Sequence, residues 1–234
     1  MRRNREAGVE RVVETARLLG DLADEVVFLG GAVAGLLVTD PAAPSMRPTL
    51  DIDVIVEVAT RGEYYAFQDR LRERGFRETL GETVICRFRS GTIVLDVMPT
   101  DPTILGFSNR WYADAARNSE VVVVDSVKIR CVNPVYFLAT KLEAFHGRGG
   151  DDFMLSHDME DVISVIDGRA EIIDEIGNAE MGVRRYLGNQ FAALLKTPDF
   201  LDALPGYLPG DSGSQRRLPL LVKRLECFAA LEQH

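Results

Sequence analysis

Leu50-Asp51-Ile52-Asp53-Val54-Ile55-Val56 is an apolar strand interrupted by two carboxylates. Side chains alternate faces along a strand, so Asp51 and Asp53 point the same way, about 6 to 7 Å apart. Two like charges on one face repel, and each resists burial unless a cation lies between them. A divalent metal ion is the simplest such cation. Upstream, the short strand Glu25 to Leu29 ends on Gly30-Gly31, and Ala32 to Val38 reads as a helix. Glycine lets the backbone approach phosphate oxygens closely, and a helix behind it would aim free N–H groups and the positive end of its dipole at them.

Downstream, Thr92-Ile93-Val94-Leu95-Asp96-Val97-Met98 is a second apolar strand with a carboxylate inside it. A lone Asp there is costly unless paired, metal-bound or at the sheet end. Ser90-Gly91 predicts a two-residue hairpin turn between Thr83–Arg89 and Thr92–Met98. Pairing outward sets Arg87 opposite Val94 and Ile85 opposite Asp96, with Arg87, Arg89 and Asp96 on one face. Asp51, Asp53 and Asp96 together form a set that can hold two Mg²⁺ ions, or Mn²⁺ in their place, with triphosphate oxygens completing the coordination. Arg87 and Arg89 flank the third acid and are candidates for binding the triphosphate or an acceptor RNA.

The rest of the chain frames these strands. Residues 5 to about 23 read as an amphipathic helix with Val9, Val12, Val13, Ala16 and Leu19 on one stripe. Gly62 to Gly75 has helical spacing, with Tyr65, Phe67 and Leu71 as candidate buried residues. Val121–Val124 and Lys128–Val132 read as strands. From Pro134 the pattern turns helical: Val135–His146, a helix capped by Ser156 and ending near Gly168, then Glu171–Gly177, Met181–Lys196 and Leu218–Leu231. Pro205–Gly213 reads as loop. The expected architecture is a mixed α/β (α+β) domain over residues 1–130 and a helical domain over 131–234.

Composition bounds the class. At 234 residues, 46% apolar and 27% charged, the chain suits a soluble globular protein with ample core. No stretch approaches the roughly 20 apolar residues of a membrane span. Met1-Arg2-Arg3 is not followed by an apolar run, so no secretory signal is expected. Three scattered cysteines, Cys86, Cys131 and Cys227, form no metal-ligand spacing and suggest a reducing cytoplasm. A net charge of −9 argues against broad nucleic-acid binding through a basic surface. The arginine clusters at 70–77, 87 with 89, 184–185 and 216–217 each have a bland reading as solvated surface, Arg87 and Arg89 being the phosphate candidates named above as well. His146 and His157 flank the Gly-rich segment Gly147–Asp152, a candidate mobile loop. Trp111-Tyr112 reads as core or interface.

The order Gly-Gly, helix, Asp-x-Asp strand, helix, hairpin with a third Asp resembles the DNA polymerase β-like nucleotidyltransferase superfamily. The spacing from Gly31 to Asp51 is longer than usual there, with Pro41–Pro48 as the apparent insertion. Lys141-Leu142-Glu143-Ala144 and Asp158-Met159-Glu160-Asp161 look like the Lys-x-x-Ala and Asp-x-x-Asp motifs of the AbiEii-like branch, the toxins of type IV toxin–antitoxin systems. The resemblance covers about residues 26 to 167. It implies a nucleotidyltransferase mixed sheet with flanking helices and a helical domain that completes the active site.

It also implies a metal-dependent, NTP-binding (for instance ATP-binding) transferase that moves a nucleotide to an acceptor hydroxyl. Asp51, Asp53 and Asp96 would hold the metal, and Gly30, Gly31, Arg87, Arg89 and Lys141 would hold the nucleotide. Lys141 would contact the triphosphate, and Asp158 or Asp161 would complete the site by orienting Lys141 or touching the nucleotide. The residues also admit bland roles: Lys141 as a surface helix lysine, Asp158 and Glu160 as first-turn acids favoured by the helix dipole. The acceptor is a tRNA 3′ end or other RNA if the AbiEii-like resemblance holds, with an antitoxin protein encoded nearby. The alternatives are a small molecule such as an antibiotic, a protein acceptor, or a catalytically silent nucleotide- or partner-binding module.

Overall fold

The computed structural model describes residues 3–78, 85–148 and 152–231. Among these, strands β1 (Val26–Leu29), β2 (Asp51–Val56), β3 (Arg77–Glu78), β4 (Arg87–Ser90), β5 (Ile93–Pro99), β6 (Glu120–Val124) and β7 (Val127–Cys131) make one mixed sheet. Its order is β3-β4-β5-β2-β1-β7-β6. β1 and β2 run antiparallel, while β2–β5 and β1–β7 are parallel. A parallel pair needs a crossover, and helix α3 lies in the one joining β2 to β5. The helices are α1 (Arg3–Leu19), α2 (Ala34–Leu37), α3 (Arg61–Glu73), α4 (Pro102–Leu105), α5 (Tyr112–Arg117), α6 (Pro134–Gly147), α7 (His157–Gly168), α8 (Ile172–Gly177), α9 (Met181–Leu194), α10 (Pro198–Ala203), α11 (Ser212–Gln215) and α12 (Leu218–Ala230). Among the described residues, no helix is long and apolar enough to cross a membrane.

The chain divides into two compact units. The first, the sheet unit, takes the chain up to Gly35 and then Arg47–Asn133. Its α1 buries Val12, Val13, Ala16 and Leu19 of the predicted stripe and leaves Val9 half-buried. Gly20, at φ +61°, ends the α-helix, and the remaining residues to Asp24 wind as a 3-10 turn. In α3 the Thr60 side chain caps the Glu63 N–H, and Tyr64, Phe67, Gln68 and Leu71 face inward. The expectation for Tyr65 was therefore off by one residue: Tyr65 is exposed, and Tyr64 donates from its hydroxyl to the Val97 carbonyl of β5 at 2.8 Å. The turn between β6 and β7 is Asp125-Ser126, both at positive φ (47° and 65°), a two-residue hairpin made without glycine. Trp111 is buried.

The second unit takes Leu36–Met46 and Pro134 onward. Ser156 caps α7 by accepting from Met159 N–H, as expected, and Gly168 closes that helix. The Pro-containing insertion lies against this closing turn: Thr39 and Asp40 N–H both donate to the Gly168 carbonyl, at 3.0 and 2.9 Å. A side chain at Gly168 would strike Val38 Cγ1 at 2.5 Å, so the close approach requires glycine. Arg217 bridges Asp40 (2.7 Å) and the buried Asp167 (2.8 Å), and Arg224 donates to the Ile166 and Asp167 carbonyls at the α7 C-terminus. Segment 205–213, read as loop, holds a 3-10 turn at Leu204–Tyr207 and leads into α11.

The first arginine cluster is surface, as expected, in ion pairs of Arg70 with Glu25, Arg72 with Asp69 and Glu78, and Arg74 with Asp21, whereas Arg217 and the Arg87 of the β4 pair are mostly buried. Strand residues Thr83 and Val84, and Gly149–Asp151 of the Gly-rich segment, lie outside the described residues.

The Arg217 guanidinium, and then the Ala42 N–H, hold the Asp40 carboxyl below the usual carboxylate range. A depressed folded-state pKa contributes stability that is complete above the unfolded value, about 3.9, and is lost as pH falls through the lower folded value. Asp40→Asn should therefore flatten the fall in urea-unfolding stability between pH 5 and pH 3, relative to the parent chain. An unchanged acid limb would show that Asp40 carries none of it.

Candidate active site

β2 sends Asp51 and Asp53 to one sheet face and the buried Ile52, Val54 and Val56 to the other. β5 runs parallel and sets Asp96 directly beside Asp53, with Val94 beside Asp51. β4 runs antiparallel to β5 and sets Arg87 opposite Asp96 and Arg89 opposite Val94. The expected hairpin register was therefore two residues out. The turn is Gly91-Thr92, with Gly91 at φ +57° and Ser90 paired to Ile93. Positive φ is the cause, since glycine takes the first turn position of a tight hairpin and Ser90 can then pair. A slip of two leaves every side chain on its face, so Arg87, Arg89 and Asp96 do share one.

Asp53 and Asp96, as neighbours across the ladder, are like charges in the least favourable arrangement a sheet offers. Arg87 compensates. Its Nε donates to Asp96 Oδ1 at 2.8 Å and its Nη2 to Asp96 Oδ2 at 2.8 Å, a two-point fork. The same Nη2 also reaches Asp51 Oδ2 at 2.9 Å. The Asp96 side chain is 12% exposed and Asp51 42%, so the cluster runs from the sheet interior to solvent. Next to it, burial foremost and the Asp96 charge second push the Cys86 thiol up to about 12, which keeps it protonated and a poor nucleophile.

Gly30 sits at φ +75° against Asp53. A Cβ there would lie 1.9 Å from Asp53 Oδ2, so the glycine backbone packs directly on the carboxylate. The helix expected behind it is shorter than the spacing suggested. Gly31–Val33 is a 3-10 turn and α2 has four residues, because Gly35 and the Val38–Pro41 stretch do not sustain a helix. Four residues carry no useful macrodipole, so any phosphate contact from this loop would rest on the Gly30 and Gly31 N–H groups themselves.

The remaining predicted residues form a separate cluster within the helical unit. Lys141 of α6 places Nζ 3.1 Å from Asp158 Oδ1 and 2.7 Å from Asp161 Oδ2 of α7. The three side chains are nearly buried, at 12%, 5% and 3% exposure. Arg148 adds a second cation on Asp158, at 2.6 Å. Lys141 is thus no solvated surface lysine, and Asp158 does more than favour the start of α7. Of the histidines, His146 contacts Gln190 at 2.5 Å and His157 lies 3.5 Å from Glu160.

Two positioning residues escaped the sequence reading. Gly8 of α1 lets the helix approach the Gly30–Val33 turn, where a Cβ would meet the Ala32 carbonyl oxygen at 3.1 Å. A glycine inside an amphipathic helix was the available signal. Arg11 donates from Nη1 to the carbonyls of Leu50 and Thr92, each at 3.2 Å, tying the entrance of β2 to the β4–β5 turn. Nothing in the pattern marks a contact so distant in sequence. A cavity lined by Val56, Glu57, Glu63, Phe67 and Arg70 lies at the other end of β2 from Asp51, away from the acids.

The donor set suits a hard divalent cation in kind: Mg²⁺ takes one or two carboxylates and completes its shell with phosphate and water. Asp51 and Asp53, alternating on one strand, supply such a pair, and Asp96 stands beside Asp53. Among the described residues no three His, Cys, Asp or Glu close into a metal cage, and Arg87 engages Asp51 and Asp96.

No protein-family model matches the chain, and none of the curated proteins does. Among solved structures it is similar to an antigenic nucleotidyltransferase-like protein from Paracoccidioides brasiliensis, at 21% identity over 85% of this chain and 92% of that one, with a TM-score of 0.49. It is also similar to a candidate nucleotidyltransferase from H. pylori, at 12% identity over 98% and 94% of the two chains, TM-score 0.45. JHP933 from Helicobacter pylori is similar too, at 12% identity over 98% and 91%, TM-score 0.46.

The contact between Gly30 and Asp53 can be tested against a control glycine. Gly91 has nothing within 4 Å of a built Cβ and φ +57°, so Gly91→Ala carries backbone strain alone. Gly30→Ala should be the more destabilising of the two in urea unfolding by about 1–3 kcal/mol, since it adds a clash with Asp53 to a backbone conformation (φ 75°, ψ −172°) that is essentially glycine's alone. Equal costs would mean that Gly30 does not pack on Asp53.

Proposed function

We propose that the chain is a metal-dependent nucleotidyltransferase whose chemistry is carried by the acid face of the sheet. The observation that supports this reading is the placement of Asp51, Asp53 and Asp96 on one face of two adjacent strands, with the Gly30 backbone against Asp53. Such a cluster opposes stability unless cations use it.

Mg²⁺, or Mn²⁺, held by Asp51 and Asp53 would neutralise triphosphate charge and polarise the phosphorus under attack. The chain's own groups divide the remaining work. The Gly30-Gly31 N–H groups and the guanidinium groups of Arg87 and Arg89 bind phosphate oxygens. Asp96 accepts the proton of the acceptor hydroxyl. That oxygen forms a bond to the α-phosphorus, the bond from this phosphorus to the bridging oxygen breaks, and pyrophosphate leaves. Lys141, held between Asp158 and Asp161, is assigned triphosphate contact by the sequence resemblance alone.

The finer reading follows the same resemblance: the acceptor is an RNA 3′ end, that of tRNA in an AbiEii-like toxin. A net charge of −9 fits an acceptor engaged at one end better than one gripped along its length.

Incubation with α-labelled NTPs, Mg²⁺ and total RNA should label RNA, and each NTP tested alone identifies the base. Asp53→Asn should reduce the rate by about a hundredfold or more, the scale on which one transition-state charge contact counts. Lys141→Met should raise the KM for NTP. Label on a small molecule or protein instead of RNA would replace the toxin reading, and no transfer to any acceptor would overturn the enzymatic one.

A further inference from the structure

We propose that Arg87 is the resident counter-cation of the acid face, and that it competes with a divalent metal ion for Asp51 while holding Asp96. The proposal rests on the nucleotidyl-transfer reading and assigns to Arg87 a role beyond phosphate binding.

The geometry carries it. One nitrogen, Nη2, serves both Asp96 Oδ2 at 2.8 Å and Asp51 Oδ2 at 2.9 Å, across two strands. A metal ion held by Asp51 and Asp53 would draw on the same Asp51 carboxylate that Arg87 occupies. An oxygen has lone pairs for two partners, but a guanidinium and a divalent ion converging on one face repel each other strongly when little water lies between them. The Arg87 side chain is 20% exposed, so that environment is partly shielded.

Displacement need not disturb the sheet. The Arg87 backbone is held in the β4–β5 ladder opposite Asp96, and only its flexible stem has to turn. The released guanidinium stays on the acid face, beside Arg89 two residues along the same strand. An anionic phosphate next to the metal would give it a new partner. Metal and nucleotide would then bind cooperatively, because the metal frees the arginine that the nucleotide uses, and linkage makes the effect reciprocal.

The test titrates Mn²⁺ into the full chain by calorimetry and by electron paramagnetic resonance, without and with a non-hydrolysable α,β-methylene NTP. Arg87→Gln should bind Mn²⁺ about tenfold more tightly than the parent chain when no nucleotide is present. The nucleotide analogue should tighten Mn²⁺ binding more in the parent chain than in Arg87→Gln. Arg87→Lys, which keeps the charge but loses the fork, should fall between them. Thermal unfolding gives a second readout: Mn²⁺ should raise the Tm of Arg87→Gln more than that of the parent chain, restoring what the lost ion pairs cost. A merely structural arginine would lower the Tm with no selective rescue by metal. Unchanged or weaker Mn²⁺ binding in Arg87→Gln, with Asp53→Asn binding weakly, would overturn the competition and leave the site reading intact. Unchanged Mn²⁺ binding in Asp53→Asn would overturn the metal-site reading itself.

Discussion

Three carboxylates on one face of two neighbouring strands, two of them bridged by the Arg87 guanidinium, set the terms for the sheet unit. Asp53 and Asp96 are ladder neighbours, and Asp51 is one pleat away on the same side. Left alone, this arrangement would weaken the pairing of β2 with β5 at the centre of the sheet. Arg87 makes it tolerable by reaching both strands from β4. Exchange of this guanidinium for another cation is what the proposed competition requires.

The opposite face explains how the acids are held in place. Ile52, Val54, Leu95, Val97 and Phe88 are buried there, and a one-residue slip of any strand would expose that layer and bury charge. Register is therefore fixed by the core, and the core fixes the carboxylates. Gly30 seats the loop after β1 on Asp53, Gly8 lets α1 close over that loop, and Arg11 pins the start of β2. These contacts fix the backbone around the acids, which is what charge-based catalysis asks of a protein scaffold.

Much of this was legible from period-2 and period-3.6 patterns. Asp51 and Asp53 in an apolar strand are visible because alternation is rigid, and Asp96 follows from the same rule. The hairpin register was lost because either Ser90-Gly91 or Gly91-Thr92 can form a two-residue turn, and only strand pairing chooses between them. The length of the helix after Gly31 was misjudged because apolar spacing over seven residues does not report the weak propensity of Gly35 and the β-branched, proline-ended stretch behind it. The Arg87 bridge was half visible: the shared face was read correctly, but which acids it serves depends on cross-strand geometry. Lys141 between Asp158 and Asp161 joins residues 17 and 20 apart, beyond the reach of any helical period. The Arg217–Asp40 bridge is a 177-residue contact with no local signal at all.

The most direct test of the central claim is a crystal of the chain grown with Mn²⁺ and a non-hydrolysable NTP, with the manganese located by its anomalous scattering. An anomalous peak within coordination distance of carboxylate oxygens of both Asp51 and Asp53 is expected, with Arg87 turned from Asp51 to phosphate. An acid face with no peak and Arg87 still bridging Asp51 and Asp96, in a crystal that contains the nucleotide, would contradict it.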